Sequence, residues 1–211
     1  MQHHHSLDGL NLKNTWTTIG SFDGVHRGHQ VILNHLVQGA HAAGSPAVVV
    51  TFFPHPAVVL RDLQGPFYLT TPDERAAILA DLGIDHVITL PFNHEIAGVT
   101  AEDFMALLSD HLGLTRLVVG NNFALGRGRS GDIHTLRHLG EGLGYDVEVI
   151  PPALMNDLMI SSTRIRELVV QGQVSDQLLE VSRTPLSRST AGLALVRQPD
   201  AISLVRHQRL V

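Results

Sequence analysis

Short β-branched runs alternate with helical patterns along this chain, and that alternation restricts the fold more than any other feature. The runs are "WTTIG" (16 to 20), "AVVVTF" (47 to 52), "HVITL" (86 to 90), "RLVVG" (116 to 120) and "YDVEVI" (145 to 150). Strands separated by helices return to the sheet by crossovers, so these five predict an α/β fold with a Rossmann-like, doubly wound parallel sheet. Between them, "HQVILNHLVQGAHAAG" carries apolar residues at helical spacing and stops at Gly44. "TPDERAAILADLG" opens with Thr71 as N-cap, Pro72 at the first helical position and Glu74 three residues after the cap, a capping box. "TAEDFMALLSDHLG" repeats that design with Thr100 and Asp103, and Ser161 or Ser162 is placed to cap a helix through "TRIRELVVQG".

At 211 residues and 44% hydrophobic, the chain is long enough for one full core. We expect an arm over 1 to 15, a main α/β domain over 16 to 174 and a tail over 175 to 211, where the pattern weakens. His3, His4 and His5 look like a short affinity tag and are left outside the site reasoning. A net charge of -5 gives no global field for nucleic acid, and the apolar runs are too short for a membrane span, so a cytoplasmic protein is expected. With no cysteine, thiolate metal sites and a cysteine nucleophile are excluded. Lys13 is the only lysine and sits in the arm, so a GxxxxGK phosphate loop and a Schiff-base lysine lack their residue. Nothing in the sequence speaks to oligomeric state.

In doubly wound sheets ligands sit beyond the carboxyl ends of the strands. That rule selects four segments. In "GSFDGVHRGHQ" (20 to 30), Gly20 and Gly24 permit backbone turns and Gly28 lets a ligand approach the first helical turn. His26 and His29, three apart, face one side where the helix N-terminus favours an anion. Three readings of the pair stand: donors to a phosphate, metal ligands with Asp23 as a third, or solvated histidines at a helix start. "TFFPHP" (51 to 56) offers Phe52 and Phe53 as a stacking face or as core, with prolines around His55. "GNNFALGRGRSGD" (120 to 132) contains a literal GxGxxG at Gly126 to Gly131, with Glu148 downstream where a ribose-binding acid is sought. It starts too far past its strand for a dinucleotide fingerprint, and a loop placing Arg127 and Arg129 near phosphates is the preferred reading. "MISSTRIRE" (159 to 167) supplies Ser161, Ser162 and Thr163 at a helix mouth, with Arg164 and Arg166 beyond them. Hydroxyls and free N–H groups there suit a polyphosphate; a plain serine N-cap with surface arginines is the alternative.

Taken together, "TIGSFDGVHRGHQ", "VTFFPHP", "VVGNNFALGRGRSGD" and "ISSTRIRELV" resemble, in order and approximate spacing, the N-terminal FMN adenylyltransferase module of bacterial bifunctional FAD synthetases. The resemblance covers roughly Trp16 to Gln173. It implies the HxGH nucleotidyltransferase fold and the reaction of ATP with FMN to give FAD and pyrophosphate, with Mg²⁺ accompanying the ATP. By the same resemblance His26, His29, Ser161, Ser162, Thr163 and Arg166 contact ATP phosphates, and the stretch Gly20, Ser21, Phe22, Asp23 and Gly24 belongs to the nucleotide site. Asn122 and Phe123 shape the active site, and Pro54, His55 and Pro56 lie on its flavin side. Met159 departs from the pattern, standing before "ISST" where members often carry a basic residue. "DQLLEVSRTPLS" looks like the approach to the family's riboflavin kinase barrel, which the sequence does not continue, so no kinase activity is expected. Two other readings stay open: the same fold acting on another phosphorylated acceptor, and a non-catalytic nucleotide or flavin binder.

Overall fold

A computed structural model describes residues 1 to 65, 67 to 151 and 161 to 171, and the backbone alone at 154, 155, 158 and 159. Apart from a short antiparallel pair, Leu154–Met155 with Leu158–Met159, the strands are β1 (Gln2–His4), β2 (Thr15–Ile19), β3 (Ala47–Phe53), β4 (His86–Pro91), β5 (Leu114–Gly120) and β6 (Asp146–Ile150). They form one six-stranded sheet in the order β1-β4-β3-β2-β5-β6, and every pairing is parallel. All five predicted runs become strands with only their ends displaced. The expected tail and Gln173 lie outside the described residues, as does the side chain of Met159.

The histidine run set aside on sequence grounds belongs to the fold. Gln2, His3 and His4 pair with His86, Val87 and Ile88, so β1 closes one edge of the sheet. A run of three histidines carries no strand periodicity, which is why its role was invisible before the partner strand was in place.

The connections are α1 (Arg27–Ala42), α2 (Pro56–Leu60), α3 (Pro72–Asp81), α4 (His94–Gly98), α5 (Ala101–Leu112), α6 (Ile133–Leu143) and α7 (Ser162–Val170). The capping box at Thr71 and Glu74 is formed, and Ser161 caps α7 by accepting from Arg164 N. Side-chain alternation along the central strands divides the core into two layers. Val48, Val50, Leu117 and Val119 meet Phe104, Met105, Leu108 and Leu112 of α5 on one face. Ala47, Val49, Val87 and Val118 meet Leu33, Leu36 and Ala40 of α1 and Leu79 of α3 on the other. Because both faces are covered, Ala47 to Val50 are fully buried, as central parallel strands require.

Candidate active site

From β2 the chain goes first to β3 on one side, and β5 later joins β2 on the other. Loops leaving β2 and β5 therefore diverge, and a crevice opens between them at the carboxyl end of the sheet. It is a cleft of about 900 Å³, reaching from Gly20 and His26 through Gly120 and Asn122 to Ser161 and Arg166. The N-terminus of α1, a sixteen-residue helix, points into it. Free N–H groups and the positive end of the helix dipole make that spot receptive to an anion.

The loop from β2 to α1 is strained, with Phe22 at φ 45° and Val25 at φ 38°, where side chains are rarely found. Burial holds it: Phe22 and Val25 are anchored in the layer beneath α1, and Gln30 Nε2 donates to Val25 O at 2.9 Å. Gly24, at φ 79°, supplies the turn between them that only glycine adopts without strain.

Asp23 is the hub of this loop, and its carboxylate is fully buried. Oδ1 accepts from Leu69 N at 3.0 Å, Thr70 N at 3.0 Å and Thr70 Oγ1 at 3.2 Å. Oδ2 accepts from Arg166 Nη2 at 2.6 Å. One carboxylate thus ties three segments together: the β2–α1 loop, residues 67 to 70 and α7. Among the described residues, Asp23, His26 and His29 do not bring their donor atoms together as a metal-ligand group, and the Asp23 oxygens are engaged by these donors. Ser162 adds a stitch by donating to Asp23 O at 2.9 Å, and Arg166 Nε donates to Phe67 O at 2.8 Å while its guanidinium lies 3.9 Å from the centre of the Phe67 ring.

His26 is the N-cap of α1: its Nδ1 accepts from His29 N at 3.3 Å. An accepting Nδ1 leaves the proton of the neutral ring on Nε2. The two rings stack with centroids 3.6 Å apart and 18° between planes. Burial pushes the pKa of His26 down to about 4, against the pull of the Asp23 carboxylate and a backbone hydrogen bond. His29 lies well below its ordinary value, first because of burial and then because His26, Arg75 and Arg166 would face its charge. The pair is therefore neutral near pH 7, a set of N–H donors and not two imidazolium charges. His55 repeats the arrangement at α2, with Nδ1 accepting from Ala57 N at 3.0 Å and burial pushing its pKa down to about 4.

The expected residues divide. Gly20, Ser21, Phe22, Gly28, His55, Phe123, Ser161, Ser162 and Thr163 line the cleft beside His26, His29, Asn122 and Arg166. Phe52 does not: its ring packs 5.5 Å from Phe92 and 6.1 Å from Phe104, on the core side. Strand alternation sends it there, leaving Phe53 to meet Tyr68 at 5.3 Å. Asp23 and Gly24 stand behind the cleft wall, as do Pro54 and Pro56, the latter starting α2. Gly126 to Gly131 is a closed loop with a single 3-10 turn, Arg127–Arg129, pinned where Leu125 and Gly131 exchange backbone hydrogen bonds. The helix that follows it, α6, starts at Ile133 with the Asp132 carboxylate accepting from Thr135 N at 2.8 Å, so an acidic side chain already occupies that N-terminus. Arg127 is exposed away from the cleft, and Arg129 Nη2 donates to Asn122 O at 3.1 Å beside a shallower hollow of about 400 Å³. Sequence reasoning missed the segment 67 to 70, since it follows a helix and no strand. It also missed Arg75, 1% exposed, whose Nη1 donates to Ser21 O at 2.8 Å and Thr51 Oγ1 at 3.0 Å from behind the loop. The "DER" of a helix start gave no sign that its arginine turns inward.

This geometry has counterparts in known proteins. A solved structure from Streptococcus pneumoniae, described as a macrolide-efflux protein, superposes with a TM-score of 0.75 at 25% identity, covering 87% of this chain and 60% of that one. The bifunctional riboflavin kinase/FMN adenylyltransferase of Escherichia coli is 33% identical over 172 residues, 81% of this chain and 55% of that protein. The FAD synthetase of Listeria monocytogenes is 35% identical over 165 residues, 77% of this chain and 67% of that protein. The chain thus spans about half the length of the bifunctional relatives it matches. The family model described as FAD synthetase matches residues 10 to 164, which include β2 through β6, the whole β2–α1 loop and the start of α7. With most of its cleft built on the matched residues and Arg166 just beyond them, the chain belongs to the FAD synthetase family.

Proposed function

We propose that the chain transfers the adenylyl group of ATP to FMN, releasing pyrophosphate and forming FAD. The observation that carries this reading is the stacked, neutral His26–His29 pair at the N-terminus of α1, inside the crevice between β2 and β5. A phosphate oxygen of FMN attacks the α-phosphorus of ATP, the bond from that phosphorus to the bridging oxygen breaks, and its electron pair leaves with pyrophosphate. The FMN phosphate is already an anion, so the step needs no protein nucleophile and no strong base. The site's work is placement and charge stabilisation. Nε2–H of His26, the His29 ring and the free N–H groups of α1 face the polyphosphate, with Ser161 and Thr163 at the opposite rim. Arg166, held by Asp23 and Phe67, presents positive charge without swinging free. Mg²⁺ enters as the counter-ion of the nucleotide substrate. Asn122 and Phe123 line the wall beyond β5, Arg129 braces that wall through Asn122 O, and His55 faces the flavin. The cytoplasm is the compartment proposed for this reaction.

Purified protein incubated with FMN and Mg-ATP is expected to form FAD, resolved by chromatography. Loss of a donor to the transferring phosphate costs about 10²–10³ in rate, so His29→Ala is expected to fall by that factor with an unchanged circular dichroism spectrum. A folded wild-type protein that forms no FAD overturns the proposal.

A further inference from the structure

The histidine run at the sheet edge builds a second cluster. His3 Nε2 sits 2.9 Å from Thr89 Oγ1 of β4. That contact turns the other ring nitrogen outward, where Nδ1 lies 3.8 Å from Asp73 Oδ1 in the first turn of α3. Alternation along the chain brings His5 to the same face as His3, and their ring centroids are 4.4 Å apart. One donor atom from each of His3, His5 and Asp73 lies within 4.8 Å of the other two. His4, on the other face, bonds to and stacks on His86 instead.

We infer that His3, His5 and Asp73 bind one divalent transition-metal ion of the zinc type. Two imidazoles and a carboxylate suit zinc and its neighbours, whereas Mg²⁺ takes oxygen ligands. Ligand atoms around a tetrahedral zinc lie about 3.4 Å apart, given bonds of about 2.0 to 2.2 Å. The three donors therefore close on the ion by small rotations of His5 and Asp73, both exposed. His3 needs no such movement. With its Nε2–H donating to Thr89 Oγ1, Nδ1 keeps its lone pair for the ion, the arrangement in which an outer partner fixes a histidine ligand. Water completes the shell on the open side. Such an ion ties the three-residue strand β1 to α3, two residues before the Arg75 that supports Ser21 and Thr51.

The test is calorimetric titration of the full chain with zinc chloride, and with magnesium chloride in parallel, for wild type, Asp73→Asn and His5→Ala. Both exchanged side chains are exposed, so the variants retain the fold, checked by their melting in chelator. Zinc taken up elsewhere, at the His26–His29 pair for example, is common to all three proteins and cancels. The expected result is one zinc site weakened about tenfold or more in each variant, with no equivalent magnesium signal. At zinc a hundred times the wild-type Kd, the wild type is expected to melt about 5–10 °C higher than in chelator, and the variants to lose about half of that shift or more. An Asp73→Asn isotherm superimposable on wild type would show chelation by the histidine run alone and overturn the inference, as would the absence of zinc binding. Because the readouts are heat and melting, they stand or fall independently of FAD synthesis.

Discussion

Asparagine at position 23 bears mainly on one interaction, because only one of the two carboxylate oxygens of Asp23 meets Arg166. Oδ1 serves Thr70 N, Thr70 Oγ1 and the shorter bond from Leu69 N, and Oδ2 serves Arg166 Nη2 at 2.6 Å and the longer bond from Leu69 N at 3.2 Å. In Asp23→Asn the amide oxygen keeps the first set, and the NH₂ group is set against a guanidinium, donor facing donor. The aspartate side chain is 0% exposed and that of Arg166 16%, so little solvent screens the stranded cation. Removing one partner of a buried pair costs about 3–5 kcal/mol. For a chain of this length each kcal/mol moves the melting temperature by about 2–4 °C, so a drop of about 6–20 °C is expected. Urea unfolding of Asp23→Asn, Arg166→Met and the double variant closes a cycle. The double variant has no stranded charge, so a coupling of about 2–3 kcal/mol is expected. A loss below about 1 kcal/mol in Asp23→Asn, or additive single losses, would refute the reasoning that this pair welds α7 to the β2–α1 loop.

Three further outcomes are expected. Because the His26 pKa falls to about 4 in the fold from 6.5, the unfolded chain binds more protons between those values; stability is full above pH 6.5 and declines as pH falls toward 4, by about 3 kcal/mol. His26→Asn, which keeps an N-cap, should lessen the slope by the His26 share when urea midpoints are followed against pH, His29 and His55 keeping theirs, and an unchanged slope would rule His26 out as a source. Gly140→Ala in α6 drives a Cβ into the carbonyl oxygen of Tyr145, backbone that cannot turn aside, and should cost about 1–3 kcal/mol. Gly142→Ala, two residues along the same helix with open space around it, should instead stabilise by about 0.5–1 kcal/mol, and thermal melts of the pair read the contrast directly.

Local signals were legible wherever one residue's own chemistry decides the backbone. The β-branched runs became β2 to β6, and Thr71, Thr100 and Ser161 became caps. His26 was readable as a group at a helix start but not as the cap itself, since histidine is not among the residues favoured there. Phe52 offered two readings, stacking face or core, and only its parity on β3 chose between them. Arg127 and Arg129 matched the chemistry of a phosphate site, yet the Leu125–Gly131 closure turns Arg127 out to solvent and spends Arg129 on Asn122.

By itself the sequence determined the α/β order, the crossovers and the place of the candidate site at the carboxyl end of the sheet, because these follow from periodicity and from short-range capping. Only the tertiary structure decided which groups are charged and which are held. The neutrality of His26 and His29 arises from burial, the anchoring of Arg166 from a carboxylate 143 residues away, and the strand made by Gln2–His4 from the edge that β4 offers. Desolvation, long-range ion pairing and sheet edges are properties of residues distant in the chain and adjacent in space, and no local pattern encodes them.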